Sequence, residues 1–165
     1  MAVDMFLEIT GESSGKIKGE SADKTHAGKI DILAWSWGVS QSGTMHFGGG
    51  GGAGKANAQD ISFTGWYENS TNTLMKMCST GEHITDAMLI VRKAGTKPLE
   101  YIEIKMKDCL VTSVSTGGSG GEDRLTANFS INFSQIEIKY VPQKADGSGD
   151  TPVNYGYSFK ENVAI

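Results

Sequence analysis

A two-residue alternation runs through residues 124–141. Leu125, Ala127, Phe129, Ile131 and Phe133 fall on one parity, and Thr126, Asn128, Ser130, Asn132 and Ser134 on the other. A helix repeats every 3.6 residues, so this pattern belongs to a β-strand with one apolar and one polar face. Beyond Ser134 the apolar parity moves to Ile136 and Ile138. A one-residue change of phase predicts a bulge near Ser134 and Gln135, a device by which a strand turns a barrel corner.

The same period recurs along the chain. In residues 101–115, Ile102, Ile104, Met106, Leu110 and Val114 share one parity. The other begins charged (Glu103, Lys105, Lys107) and ends small (Cys109, Val111, Ser113, Ser115). Asp108 interrupts the apolar face and predicts a bulge or bend. Val153, Tyr155, Tyr157 and Phe159 alternate again, and residues 5–9, 30–40, 61–64 and 87–93 read as further strands. Segment 30–40 is bulky on both faces, so cover is expected on both sides. One helix is expected over about 70–80, with Ser70 as N-cap, Gly81 just past its end, and Leu74, Met75 and Cys78 as its apolar stripe. Many strands, one flanking α-helix and glycine-rich turns define a mainly β chain, a compact and mostly antiparallel β-barrel or sandwich, as one domain over 1–165.

Glycine is in surplus, 22 of 165 residues, where an average chain has about 7%. With only 3 prolines the composition is not that of a disordered Pro/Gly segment. The glycines cluster at 48–52, flanked by Gly43 and Gly54, at 117–121 around Ser119, and at Gly147 and Gly149. Five in a row have a large unfolded-state entropy. Such a run is either disordered or ordered against a surface that admits no side chains, and both readings stay open at this point.

Net charge is −4, without the basic face that nucleic acid or an anionic membrane requires. The longest apolar run, residues 87–91, is far below the roughly 20 residues of a membrane helix. The N-terminal residues carry acids and no basic region, so no signal peptide is expected. Cys78 and Cys109 have no metal-ligand or CxxC spacing and are expected as reduced thiols.

Chemistry-bearing motifs are weak. Gly49 to Lys55 fits the first part of a phosphate-binding loop, but Ala56 stands where Ser or Thr would hold Mg²⁺, and a strand follows where a helix should. His26, His46 and His83 have no metal spacing, and no nucleophile-elbow pattern supports a triad. Trp35 and Trp37 suit a core or a subunit contact. The polar parity Asn128, Ser130, Asn132, Ser134 suits a solvated face, but its short uncharged side chains also suit a smooth wall past which cargo moves without sticking.

A set of segments in order resembles the Hcp (haemolysin-coregulated protein) family of bacterial type VI secretion. These are residues 1–6, Gly19-Glu20-Ser21 with residues 23–26, residues 32–38 and 40–43, the glycine run into Ala53-Gly54-Lys55, residues 92–95, 114–123 and 142–147. Segment 10–18 is longer than in the family's shorter members, and no further domain is expected after residues 159–165. The resemblance implies a β-barrel protomer, a homohexameric ring with an open lumen, and rings stacked into a tube. A contractile sheath on a baseplate drives the tube out, a spike protein sits at its tip, and small effector proteins ride inside. It implies synthesis in the cytoplasm and secretion through the apparatus, and no enzyme, cofactor, metal or catalytic residue.

Within that frame the long Gly-rich extended loop, about 38–60, is the expected ring-stacking or subunit-contact element. Its residues are Met45, His46, Phe47, Gly48, Gly49, Gly50, Gly51, Gly52 and Lys55, with Met45, His46 and Phe47 as side-chain anchor. Ser115, Ser119, Asn128, Ser130 and Asn132 are the expected lumen or effector contacts, and Trp35 and Trp37 the expected subunit interface. Two other classes compete: a monomeric small-ligand-binding β-barrel, and a nucleotide-using enzyme acting through the Gly54-Lys55 loop.

Overall fold

The computed structural model describes residues 2–46, 48, 49, 52 and 54–165. The chain forms β1 (Val3–Gly11), β2 (Gly15–Lys16), β3 (Ile30–Ser36), β4 (Val39–Ser40), β5 (Asn57–Ala58), β6 (Ile61–Trp66), α1 (Asn69–Thr80), β7 (His83–Lys93), β8 (Leu99–Thr116), β9 (Thr126–Tyr140), β10 (Val153–Ser158) and β11 (Val163–Ala164). Six of these strands pair antiparallel in the order β9-β6-β3-β1-β7-β8, and the β8–β9 pairing closes the ring. Closure removes the unpaired strand edges that an open sheet would expose. One edge of β9 is shared: β6 takes residues 126–131 and β10 takes 135–140.

The inward parity fills the barrel. Leu7, Ile9, Ile61, Ile84, Leu89, Ile104, Met106, Ile131 and Ile136 are fully buried, and Phe63 stacks on Phe129 with ring centroids 5.1 Å apart. Ala127, Phe129, Ile131 and Phe133 of β9 all point inward, as the alternation requires, whereas Leu125 precedes the strand and is exposed.

The changes of phase have a different cause from the one expected. No residue is inserted at Ser134 and Gln135: the β8–β9 register passes from Lys107↔Gln135 to Cys109↔Phe133 without a slip. Both strands turn over together at Asp108 and Ser134. Asp108 adopts φ 51°, a left-handed conformation that Asp tolerates better than most residues. Ser134 Oγ shares its one proton between the Lys107 carbonyl and Asp108 Oδ2, both at 3.2 Å. After this corner Cys109 and Val111 face the core, so Leu110 does not continue the face of Ile104 and Met106 and is exposed, whereas Val114, opposite Phe129, packs on the core again. The one-residue slip lies further on, between Val111 and Ser113.

Segment 30–40 is two strands. β3 slips register between Ile32 and Ala34, leaving Leu33 exposed, and the chain then departs from the barrel as β4.

Helix α1 starts one residue before the expected N-cap. Glu68 is the cap: its N–H donates to Thr71 Oγ1 at 3.1 Å, and its carboxylate accepts from Ser70 Oγ and from the Glu20 N–H. Ser70 is therefore inside the helix and buried. Burial raises the Glu68 carboxyl above its ordinary pKa. The buried stripe is Ser70, Thr71, Leu74 and Met77, with Cys78 and Met75 at its margin. Gly81 ends the helix at φ 72°, its N–H donating to the Met77 carbonyl at 3.0 Å. Gly11 lets this end of the helix seat closely, because a Cβ there would stand 3.0 Å from Met77 Cε and 2.6 Å from Glu82 Oε2.

The Asp108 corner gives a direct test. Asp108→Val places a β-branched side chain in the left-handed region and is expected to destabilise the fold by about 1–2 kcal/mol, with Asp108→Gly close to neutral. Urea unfolding of both variants measures the difference; equal stabilities would refute the conformational argument.

Candidate assembly surfaces

The segment between β3 and β6 is a protruding antiparallel arm. Val39 pairs with Ala58 and Ser40 with Asn57. The Gln59 N–H donates to the Gly38 carbonyl at 3.0 Å, and the Gly54 N–H to the Ser42 carbonyl at 3.3 Å. Further out Thr44 Oγ1 donates to the Gly52 carbonyl and accepts from the Gly52 N–H. These cross-links make the expected loop a hairpin with a hydrogen-bonded stem. Near the tip Met45 is 79% exposed, His46, Gly48 and Gly52 are exposed, and Gly49 takes φ 77°. Lys55 is exposed on the returning limb. Phe47, Gly50 and Gly51 lie outside the described residues.

Trp37 roots the arm. Its ring lies 6.0 to 6.4 Å from Phe133, Tyr155 and Phe159, and its Nε1 donates to the Gln59 carbonyl at 2.8 Å. Trp35, opposite Phe63 on the β3–β6 ladder, is half-buried against the core. Both tryptophans are thus largely occupied by their own chain.

The outer face of the barrel divides at the Asp108 corner. On the side of residues 99–107 it is charged, with Glu103 opposite Lys139 and Lys105 opposite Glu137. On the other side it carries short uncharged side chains, with the Asp60 carboxylate among them. There Ser115 faces Asn128, Ser113 faces Ser130, Thr64 faces Asn128, and Ser36 and Ser130 both face Ser62. Thr64 Oγ1 donates to Asn128 Oδ1 at 2.7 Å. Asn132 belongs to this wall and donates from Nδ2 to Asp60 at 2.8 Å. The fold therefore gathers four of the five expected lumen residues, Ser115, Asn128, Ser130 and Asn132, on one sheet face. Ser119 is in the exposed turn beyond β8, its carbonyl accepting from the Glu122 N–H at 3.1 Å. Sequence reading missed Ser36, Ser62, Thr64, Thr112 and Asp60, because their place beside β9 depends on register between distant strands.

A second polar cluster pins the segment 20–29 to the barrel. Arg92 donates to Asp23 and to Asp4, and Asp23 Oδ1 also accepts from the backbone of Thr25 and His26. The Arg92 guanidinium holds the Asp23 carboxyl well below the usual carboxylate range. His26 is buried and stacks on Phe6 with ring centroids 4.7 Å apart. Lys29 Nζ sits 3.0 Å from its Nδ1 and Glu100 2.6 Å from its Nε2. An ammonium only donates, so Nδ1 accepts and the Nε2–H is donated to Glu100. His26 is thus fully engaged in packing. Both cysteines are free thiols, and burial pushes Cys109 up to about 12.

Known proteins share this architecture. The family model described as "Type VI secretion system effector, Hcp" matches residues 6–140. The protein hcp1 of Pseudomonas aeruginosa is 59% identical over 165 residues, covering 99% of both chains. The crystal structure of Hcp1 from Salmonella typhimurium superposes with a TM-score of 0.80 at 35% identity, covering 100% of each chain. A type VI secretion system effector from Yersinia pestis gives 0.75 at 31% identity, covering 94% of this chain and 99% of that one. The fold is the barrel of type VI secretion proteins. The chain belongs to the Hcp family of type VI secretion, whose members are secreted and self-associate into tubes.

The Asp23–Arg92 pair has a pH signature. A carboxyl whose folded pKa is depressed contributes stability above its unfolded value and loses it as pH falls toward the folded value. Asp23→Asn is therefore expected to lower the melting temperature at neutral pH, with the gap to the parent narrowing as pH drops below the ordinary Asp value of 3.8. Thermal melts across pH check it; a constant gap would contradict it.

Proposed function

We propose that this chain is the ring-forming subunit of the type VI inner tube. Six copies close into a ring with an open lumen, and rings stack into a tube. The tube is expelled by a contractile sheath from its baseplate, with a spike protein at the tip. The chain is made in the bacterial cytoplasm and leaves through the apparatus, carrying small effector proteins inside the lumen. One observation supports this reading: the barrel bears a β-hairpin arm and, on one face, a wall of short, mostly uncharged side chains. A head-to-tail ring closes through two different complementary patches on each protomer; the arm supplies one of them, and the wall is left to face the lumen.

Each feature takes one role. The arm, with Met45, His46, Phe47, Gly48, Gly49, Gly50, Gly51, Gly52 and Lys55, contacts neighbouring subunits or the next ring. Its glycines let backbone lie flat on backbone, where main-chain hydrogen bonds supply the contact. The wall of Ser115, Asn128, Ser130 and Asn132, with Ser119 beyond it, faces the lumen. It offers hydrogen bonds without strong charge, which suits cargo that has to be held and then released. Trp35 and Trp37 stiffen the base of the arm and set the adjoining subunit contact.

Native mass and electron microscopy of the purified protein test this together. A particle of about 106 kDa, six times 17.6 kDa, seen as rings with a central hole, is expected. A 17.6 kDa monomer would overturn the reading in favour of a monomeric ligand-binding barrel.

A further inference from the structure

The root of the arm is tied to the barrel at two places of opposite chemistry. On the outgoing limb the tie is Trp37, held among aromatic rings. On the returning limb it is Asp60, between β5 and β6. Asp60 Oδ2 accepts from Thr112 Oγ1 at 2.8 Å, and Oδ1 accepts from Asn132 Nδ2 at 2.8 Å. The two donors come from different strands, β8 and β9. Thr112 sits within the one-residue slip between Val111 and Ser113, so the irregularity in β8 coincides with the hydroxyl that reaches Asp60.

This carboxylate also orders its neighbours. A hydroxyl has one proton to give. Thr112 gives its proton to Asp60 and therefore accepts from Ser130 Oγ, 2.7 Å away. Ser130 is then committed as a donor and accepts from Ser113 Oγ at 2.6 Å. The chain Ser113 to Ser130 to Thr112 to Asp60 runs in one direction.

We propose that Asp60 is a positioning residue with two linked effects. It sets the direction in which the arm leaves the barrel, and it turns the wall hydroxyls so that their protons point inward along the chain. Ser113 is left with outward lone pairs, and the wall at this point presents acceptors. Arm and wall are joined through one side chain. All of these contacts lie within a single chain, so the inference stands apart from the ring-subunit reading.

The test is hydrogen exchange at the Gln59 amide, whose bond to the Gly38 carbonyl closes the root of the arm. The proteins compared are the parent, Asp60→Ala, Asp60→Asn, Thr112→Val and the double variant Asp60→Ala/Thr112→Val. Loss of hydrogen bonds to a charged acceptor is expected to speed exchange by about 10-fold in Asp60→Ala. Amides of the β8–β9 ladder between residues 102–106 and 136–140 should keep their protection. Asp60→Asn should fall between the parent and Asp60→Ala, because its amide keeps one acceptor and the hydroxyl chain can reverse toward its N–H₂. Thr112→Val should have a smaller effect of its own and add nothing to Asp60→Ala. Unchanged exchange in Asp60→Ala, or full additivity in the double variant, would overturn the proposal. If Asp60→Ala does not fold, Asp60→Asn and Thr112→Val decide it: both must exchange faster at Gln59 than the parent. Native mass of the parent reports separately on ring formation.

Discussion

Everything in this structure hangs on the β8–β9 ladder. It runs from Ile102↔Tyr140 to Thr116↔Ala127 and turns the row of strands into a closed barrel. The ladder also contains the corner. Asp108 and Ser134 turn over together, which keeps the register while exchanging inside for outside on both strands. The barrel can thus be apolar within along its whole length and yet carry two different outer faces, one of paired charges and one of short, mostly uncharged side chains. A bulge in one strand alone would have displaced the pairing beyond it.

Closure has a second consequence. The six-stranded barrel has no free edge within it, and the arm stands apart as a separate two-stranded sheet. The arm leaves between β3 and β6 and is held at its root by an aromatic cluster around Trp37 and by the Asp60 carboxylate. Its stem is cross-linked by main-chain bonds and by Thr44, and its tip exposes Met45 beside glycine backbone. This is the form in which the glycine surplus is placed: Gly54 packs against Ser42, and Gly49 supplies a positive φ near the tip.

Local periodicity made much of this legible. The alternation in residues 124–141 identified β9 and its inward residues, and Gly81 marked the end of the helix. The parity change showed that β9 turns, but not how, because a bulge and a paired corner look alike until the partner strand is known. The extrapolated face failed at Leu110 for the same reason, and Val114 returns to the core through the slip after Val111. The helix cap was misplaced because Glu is a less usual cap than Ser, and because the stabilising Glu20 N–H comes from far away in sequence. Asn128, Ser130 and Asn132 could be named from one strand. Asp60, Thr112 and Thr64 could not, since only register brings them beside β9.

The central claim is that the barrel holds the fold and the arm joins one copy to the next. Replacing residues 41–56 with an Asn-Gly turn, so that Ser40 and Asn57 close a two-residue hairpin, tests it most directly. The shortened chain should keep the parent's β-sheet circular dichroism and melting behaviour, and electron microscopy should show no tubes under conditions where the parent forms them. Tubes as abundant as the parent's would contradict the account.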